Sequence, residues 1–380
     1  MAALAPLLTG DVDHRRLKSY WLPRSLHPLS WWLWALGLTV AASRTTNPLL
    51  LGTIIAVVSW VVIARRSDAP WANAFRLYVI AGAVVVVLRV LVRIVFGGDQ
   101  GTHVLVSLPS IGLPFAGGIR LFGDITAESL LGGLYDGLRL ATLLICLGAA
   151  NALANPRRLL RSMPPALHEV STAVVVALSV FPQLAESVMR VTKARRLRPD
   201  DGERRVAAMR AIVIPVLEDA LDRSLLLAAS MDSRGYGRTG NRSRRTSWVV
   251  SALLVGGLAG ICVGVYAVLD ASTPRLLAAP LLVAGICIGV GGVRLSGRGL
   301  VRSAYRPDRW RLAEIVTAAS GLAAGLLLFA SAQVDPTNLY PSLAPLMWPQ
   351  LPPLALLAIL VGLVPAVATP AAPSAEAAPR

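Results

Sequence analysis

Apolar residues fall into long blocks separated by short polar and often basic punctuation. Blocks run from Leu29 to Ser43, Leu49 to Ala64, Leu77 to Phe96, Leu138 to Leu153, Trp248 to Leu269, Leu276 to Val293, Leu312 to Ala332 and Leu351 to Ala368. About 20 apolar residues in a helix cross a bilayer, so each block is a candidate span. The first block is short and opens on Trp31, Trp32 and Trp34, the aromatic signature of a membrane interface. The last is interrupted by Pro352, Pro353 and Pro365. The pattern predicts an all-α polytopic membrane protein with about eight transmembrane helices, in a range of five to eight. Amphipathic cytoplasmic helices are expected in addition.

Between the fourth and fifth blocks the pattern changes. Residues 154–245 hold 17 basic and nine acidic residues. Val170 to Phe181 is an apolar run of about a dozen residues before Pro182, short for a span. Two amphipathic helices are predicted after it. The first runs from about Pro182 to Arg198, with Leu184, Val188, Val191 and Leu197 as an apolar stripe and Glu186–Arg190 as an i,i+4 pair. Pro199 and Asp200-Asp201-Gly202 stop it. The second runs from about Glu203 to Ser233, with Met209, Val213, Val216, Leu217 and Leu221 at helical spacing. Asp219 can pair with Arg223, Pro215 is expected to kink or divide the helix, and Gly235 suits the residue after its end.

The domain plan that follows has an N-terminal cytoplasmic segment over 1–28 and a first membrane region over 29–153, with a long outer loop at 97–136. A cytoplasmic region covers 154–245, a second membrane region 246–368, and a disordered tail 369–380. In the outer loop, Val104–Leu108 and Ile119–Phe122 suit short strands, and Thr126 with Glu128 suits a helix start. Arg89 and Arg93 sit inside the third block at i,i+4. Two readings stay open for them: snorkelling to the interface, or a polar contact with another helix or subunit.

Charge decides between a membrane and a nucleic-acid reading of the net +16. With both termini inside the cell membrane, eight spans leave 31 basic residues on the inner side and three (Arg44, Arg120, Arg275) on the outer side. That asymmetry is the positive-inside pattern, and it accounts for the charge without nucleic acid. No leader peptide is read, because Arg15, Arg16 and Lys18 follow the short apolar stretch Met1–Leu8 instead of preceding it. Cys146, Cys262 and Cys287 all lie in apolar runs and are expected to be buried. His14, His27, His103 and His168 lack metal-ligand spacing, so neither metal nor cofactor is expected. Ser107, Ser110 and His103 lie close in sequence without a neighbouring acid, so the chain is not read as an enzyme.

Two short motifs end the predicted amphipathic helices. Ala194-Arg195-Arg196 closes the first and Ser233-Arg234-Gly235 the second. Arginine at a helix C-terminus satisfies the helix dipole. Flanked by small residues, it also suits bidentate bonding to a partner's carboxylate. These triplets, their separation and the membrane frame resemble the transmembrane T component of energy-coupling factor (ECF) transporters, the family that includes the cobalt-transport Q subunit. Leu26-His27-Pro28, Asn47-Pro48, Arg139-Leu140, Asn155-Pro156 and Met163-Pro164 are similar to it as well. The family carries Ala-Arg-Gly-like triplets; Arg196 stands here in place of glycine and Ser233 in place of alanine.

The resemblance implies a non-catalytic scaffold that joins two cytoplasmic ATP-binding cassette ATPases to a substrate-binding S component in the membrane, for vitamin or metal-ion uptake. Arg195 and Arg234 would each dock on one ATPase. The chain contains no GxxxxGK[ST] phosphate loop of its own. The alternative is a stand-alone secondary transporter, for which internal repeats and midplane polar residues would be expected.

Overall fold

The computed structural model describes residues 23–67, 73–96, 101–109, 111–112, 120–163, 167–197, 205–235, 244–269, 274–297, 308 and 310–372. The predicted stop at Pro199 to Gly202 and the tail beyond residue 372 lie outside them. The protein is an all-α membrane protein, with two short antiparallel strand pairs among the described residues. Among the described residues, seven helices are long and apolar enough to cross a membrane. Six coincide with predicted blocks. The first and last blocks form shorter helices, and the seventh long helix contains the run at Val170–Phe181.

Contacts divide the chain into two units, residues Met1–Leu159 with Asp308–Arg380, and residues Leu160–Pro307. The first unit contains α1 (Pro28–Ser43), α2 (Pro48–Arg65), α3 (Ala74–Phe96), β1 (Val104–Val106), β2 (Ile111–Gly112), β3 (Arg120–Leu121), β4 (Ile125–Thr126) and α4 (Ala127–Leu153). The short α5 (Pro156–Arg161) follows at its boundary. The chain returns to this unit with α10 (Leu312–Val334), α11 (Pro336–Leu339), α12 (Pro353–Val361) and α13 (Val364–Ala368). Its core holds fully buried Trp34, Leu38, Leu50, Ile54, Val58, Leu328 and Ile359.

Asx-Pro and His-Pro pairs start three helices by one device. The preceding side chain accepts a free backbone N–H, and proline takes the first helical position, where no donor is needed. His27 Nδ1 accepts from Leu29 N at 3.2 Å, Asn47 Oδ1 from Leu49 N at 3.0 Å, and Asn155 Oδ1 from Arg157 N at 3.0 Å. Burial holds the His27 pKa below its usual value, in keeping with a neutral ring that accepts at Nδ1.

Glycines let the spans approach closely, as small residues do in membrane helix pairs. A Cβ at Gly325 of α10 would lie 2.6 Å from the Gly37 carbonyl oxygen of α1, and one at Gly321 would strike the Trp34 backbone. Gly82, Gly133, Gly137 and Gly148 line the α3–α4 contact in the same way.

Polar residues close both ends of this unit. At one end, Arg24 donates to both oxygens of Glu314 at 2.6 and 3.1 Å, and Arg158 pairs with Asp308 at 2.5 Å. At the other, the Asn47 amide donates to the Asn338 and Gln350 carbonyls at 2.9 and 2.6 Å, and Thr45 donates to Leu339 O at 2.8 Å. These are called below the Glu314 end and the Asn47 end.

The last predicted span is two stacked short helices. Gln350 O lies on Asn47, which precedes α2, and Pro365 O and Ala366 O accept from Arg65 at the end of α2. Residues 350–366 therefore run the length of α2 in the same direction, broken at Gly362. The Trp34 indole N–H donates to Gly362 O at 2.9 Å, which satisfies a carbonyl at the break. Trp34→Phe should leave that buried carbonyl unpaired and cost about 1–3 kcal/mol. Thermal unfolding in detergent would read it as a lowered midpoint.

The helix that carries the Leu138 block begins at Ala127, after the start suggested by Thr126 and Glu128, so the last ten residues of the predicted outer loop are helical. Thr126 caps it, accepting from Ser129 N at 3.3 Å. Glu128 accepts from Thr102 Oγ1 and N and from His103 N, and lies 2.8 Å from His103 Nδ1. His103 thus has an acid partner that sequence spacing did not reveal. That carboxylate ties the β1 segment to the start of α4; Ser110 lies outside the described residues.

Arg93 pairs with Asp136 of α4 at 3.3 Å, the polar-contact reading of that residue. Of the cysteines, Cys146 is buried, but Cys262 and Cys287 are exposed. Both lie on helices of the second unit, whose outer faces carry apolar residues.

Candidate functional site

The second unit holds two helical hairpins. One is α6 (His168–Arg196) with α7 (Arg205–Ser233), and the other is α8 (Arg244–Leu269) with α9 (Arg275–Gly297). In the α8–α9 pair the backbones meet at glycines. An added Cβ at Gly264 would lie 2.6 Å from Leu282 Cα, and one at Gly260 would lie 3.0 Å from Gly285 Cα.

Sequence signals placed a helix start at Pro182, but α6 runs through it from His168. The apolar residues before Pro182 are already helical, so the proline is accommodated within the helix instead of beginning it. Pro215 likewise lies inside α7, which is not divided.

Polar side chains join α6 to α7. Ser187 is buried and donates to Asp219 Oδ2 at 2.8 Å. Arg223 donates to Asp219 Oδ1 at 3.0 Å, as its i,i+4 spacing suggested, and reaches Gln183 Oε1 at 3.3 Å. Arg190 approaches Asp219 at 3.7 Å, so it bridges to the facing helix and not to Glu186. The Ser187 hydroxyl and the Arg223 guanidinium hold the Asp219 carboxyl below its ordinary pKa. Asp219 therefore stays charged and keeps the seam intact across neutral pH. Gln183, Ser187 and Arg190 fall at i, i+4 and i+7, one helical face, and that spacing was the available signal for the seam.

The apolar residues point elsewhere. Val188 and Leu197 of the predicted stripe, and Met209, Val213, Leu217 and Leu221 of α7, are all exposed in the chain.

Contacts between 183 and 223 and between 187 and 219 set the two helices antiparallel where they touch. The two triplets consequently lie to opposite sides of that contact. At 1.5 Å per residue, Arg195 is about 12 Å beyond Ser187 along α6, and Arg234 about 22 Å beyond Asp219 along α7.

Locally the two ends differ. Ala194 is exposed, Arg195 is partly covered, and Arg196 is the last residue of α6. Ala194 O accepts from Leu197 N at 3.3 Å. At the other end, Ser233 closes α7, with its hydroxyl donating to Ser230 O at 2.9 Å. Gly235 takes φ 74°, the left-handed conformation that terminates helices, and its N–H donates to Asp232 O at 2.8 Å. Arg234 is left exposed, and its side chain has no hydrogen bond or ion pair among the described residues. No three His, Cys, Asp or Glu side chains gather as a metal-ligand group among the described residues.

A family model described as CbiQ, cobalt transport protein, matches residues 21–248, more than half of the chain. Both triplets and the three helix-starting prolines fall inside the match, and α9 to α13 lie beyond it. No individual curated protein matches the chain.

Proposed function

On the premise that the chain belongs to the cobalt transport protein family, and is thus a multi-pass membrane transport component, we propose that it is the non-catalytic scaffold of an ATP-driven ECF-type importer. In this role it couples two cytoplasmic ATP-binding cassette subunits to a substrate-binding membrane subunit that takes up a vitamin or metal ion. Ala194, Arg195 and Arg196 dock one ATPase; Ser233, Arg234 and Gly235 dock the other.

The observation that carries this reading is Arg234, exposed at a helix end, with no side-chain hydrogen bond or ion pair among the described residues. A guanidinium in that position is ready for a bidentate bond to a carboxylate on another protein. The opposed directions of α6 and α7 support two docking points, one for each ATPase, because the triplets diverge from the seam. Although α6 is apolar enough to span, Arg190, Lys193, Arg195 and Arg196 crowd its last turns. Together with the 31-to-3 distribution of basic residues, this supports a cytoplasmic surface position for the hairpin and cytoplasmic termini.

The test is purification of the full chain from its native membrane. ATP-binding cassette chains should accompany it at two per scaffold, with ATP-dependent uptake by the reconstituted assembly. Uptake by the chain alone, independent of ATP, would overturn the proposal in favour of a secondary transporter.

A further inference from the structure

Helix α3 is the edge of the first unit, with only Gly82 buried along its length. Ile80, Val84, Val87, Leu88 and Leu91 are exposed, a face suited to lipid. Arg89 lies on the other side of the helix, toward α4, yet it is exposed and its side chain has no hydrogen bond or ion pair among the described residues. Arg93 follows one turn later on the same side and pairs with Asp136. Asp136 thus balances Arg93, and the Arg89 charge has no acidic partner among the described residues. Their stems are positioned by α4: a Cβ at Gly133 would lie 2.9 Å from Arg93 Cγ, and one at Gly137 would lie 3.2 Å from Arg89 Cβ. The bare backbone at these glycines seats the two side-chain stems at the α3–α4 contact.

Their depth follows from the neighbouring helices. The 16 residues of α1 and 18 of α2 span about 24 and 27 Å, less than the ~30 Å of an average hydrocarbon core. Short spans draw the headgroups inward. A belt of that thickness, laid along α3 from Ala74, ends between Arg89 and Arg93. The excess charge therefore lies at the headgroup boundary of the Asn47 end, where the bilayer itself supplies phosphate. Arginine binds phosphate with its planar fork of donors.

We infer that Arg89 and Arg93 hold the phosphate headgroup of an anionic phospholipid against α3 at the Asn47 end. Asp136 limits the attraction by occupying Arg93.

The experiment reconstitutes the full chain in nanodiscs of equal phosphatidylglycerol and phosphatidylcholine, and counts retained lipids by native mass spectrometry. Wild type should be enriched in phosphatidylglycerol. Arg89→Gln should lower the enrichment about fivefold, the effect of one arginine at an anionic surface. Asp136→Asn, which frees Arg93, should raise it. Unchanged enrichment in folded Arg89→Gln overturns the inference, as does unchanged enrichment in Asp136→Asn. If Arg89→Gln keeps its lipid but sheds a copurifying membrane protein, the site serves a protein carboxylate and the lipid assignment fails.

Discussion

Arg234→Ala should strip the scaffold of one ATPase while leaving its own fold unchanged. Arginine anchors at interfaces contribute about 2 kcal/mol or more, so the variant should bind that subunit roughly thirtyfold more weakly. The Arg234 side chain has no hydrogen bond or ion pair among the described residues, so thermal unfolding and membrane insertion should match wild type. Arg234→Lys keeps the charge but loses the planar fork, and should recover only part of the docking. Arg195→Ala should act in the same direction by a smaller factor, because Arg195 is partly covered. Affinity measured with the purified ATPases, alongside uptake in vesicles, checks all three. Full assembly and uptake in both alanine variants would remove the docking assignment.

A second large effect is expected far from the triplets. Gly321→Leu should separate α10 from α1, because even the first added carbon meets the backbone of Trp34, with its carbonyl carbon at 2.7 Å. Backbone atoms cannot rotate aside as a side chain would. Overpacking commonly costs about 1–3 kcal/mol, and this contact lies beside the fully buried Trp34, so the cost should fall at or above the upper end. Gly52→Ala is the control: nothing lies within 4 Å of its added carbon, and helix propensity favours alanine by about 1 kcal/mol. Thermal unfolding in detergent should show a large drop for the first variant and none for the second.

Features set by neighbours in sequence were legible in the chain. His27-Pro28, Asn47-Pro48 and Thr126 start helices where their chemistry requires, and the Gly235 terminus follows from its freedom at positive φ. Long apolar blocks became helices because lipid leaves backbone groups few other partners. What escaped depends on distant residues. Pro182 looked like a helix start because proline signals both a beginning and a tolerated kink. Whether the Leu351–Ala368 block crosses depended on Asn47 and Arg65 receiving its two ends, about 300 residues away in sequence. Arg190 could face Glu186 or Asp219, and only the packing of α7 on α6 selects the latter. For the proposed docking site, local spacing picked out both triplets, but not the greater exposure of Arg234.

The interrupted course of the first unit bears on how the protein is made. Residues Leu160–Pro307 intervene between its two parts, yet Gly37 and Arg24 take their partners Gly321, Gly325 and Glu314 from the later part. At ribosomal speeds of about 5–20 residues per second, that interval of roughly 150 residues takes on the order of 10–30 s. Throughout it the groove on α1 has no α10 to fill it, and Arg24 has no Glu314. The earlier helices therefore wait in the bilayer as an open assembly until α10, made after the second unit, closes on them.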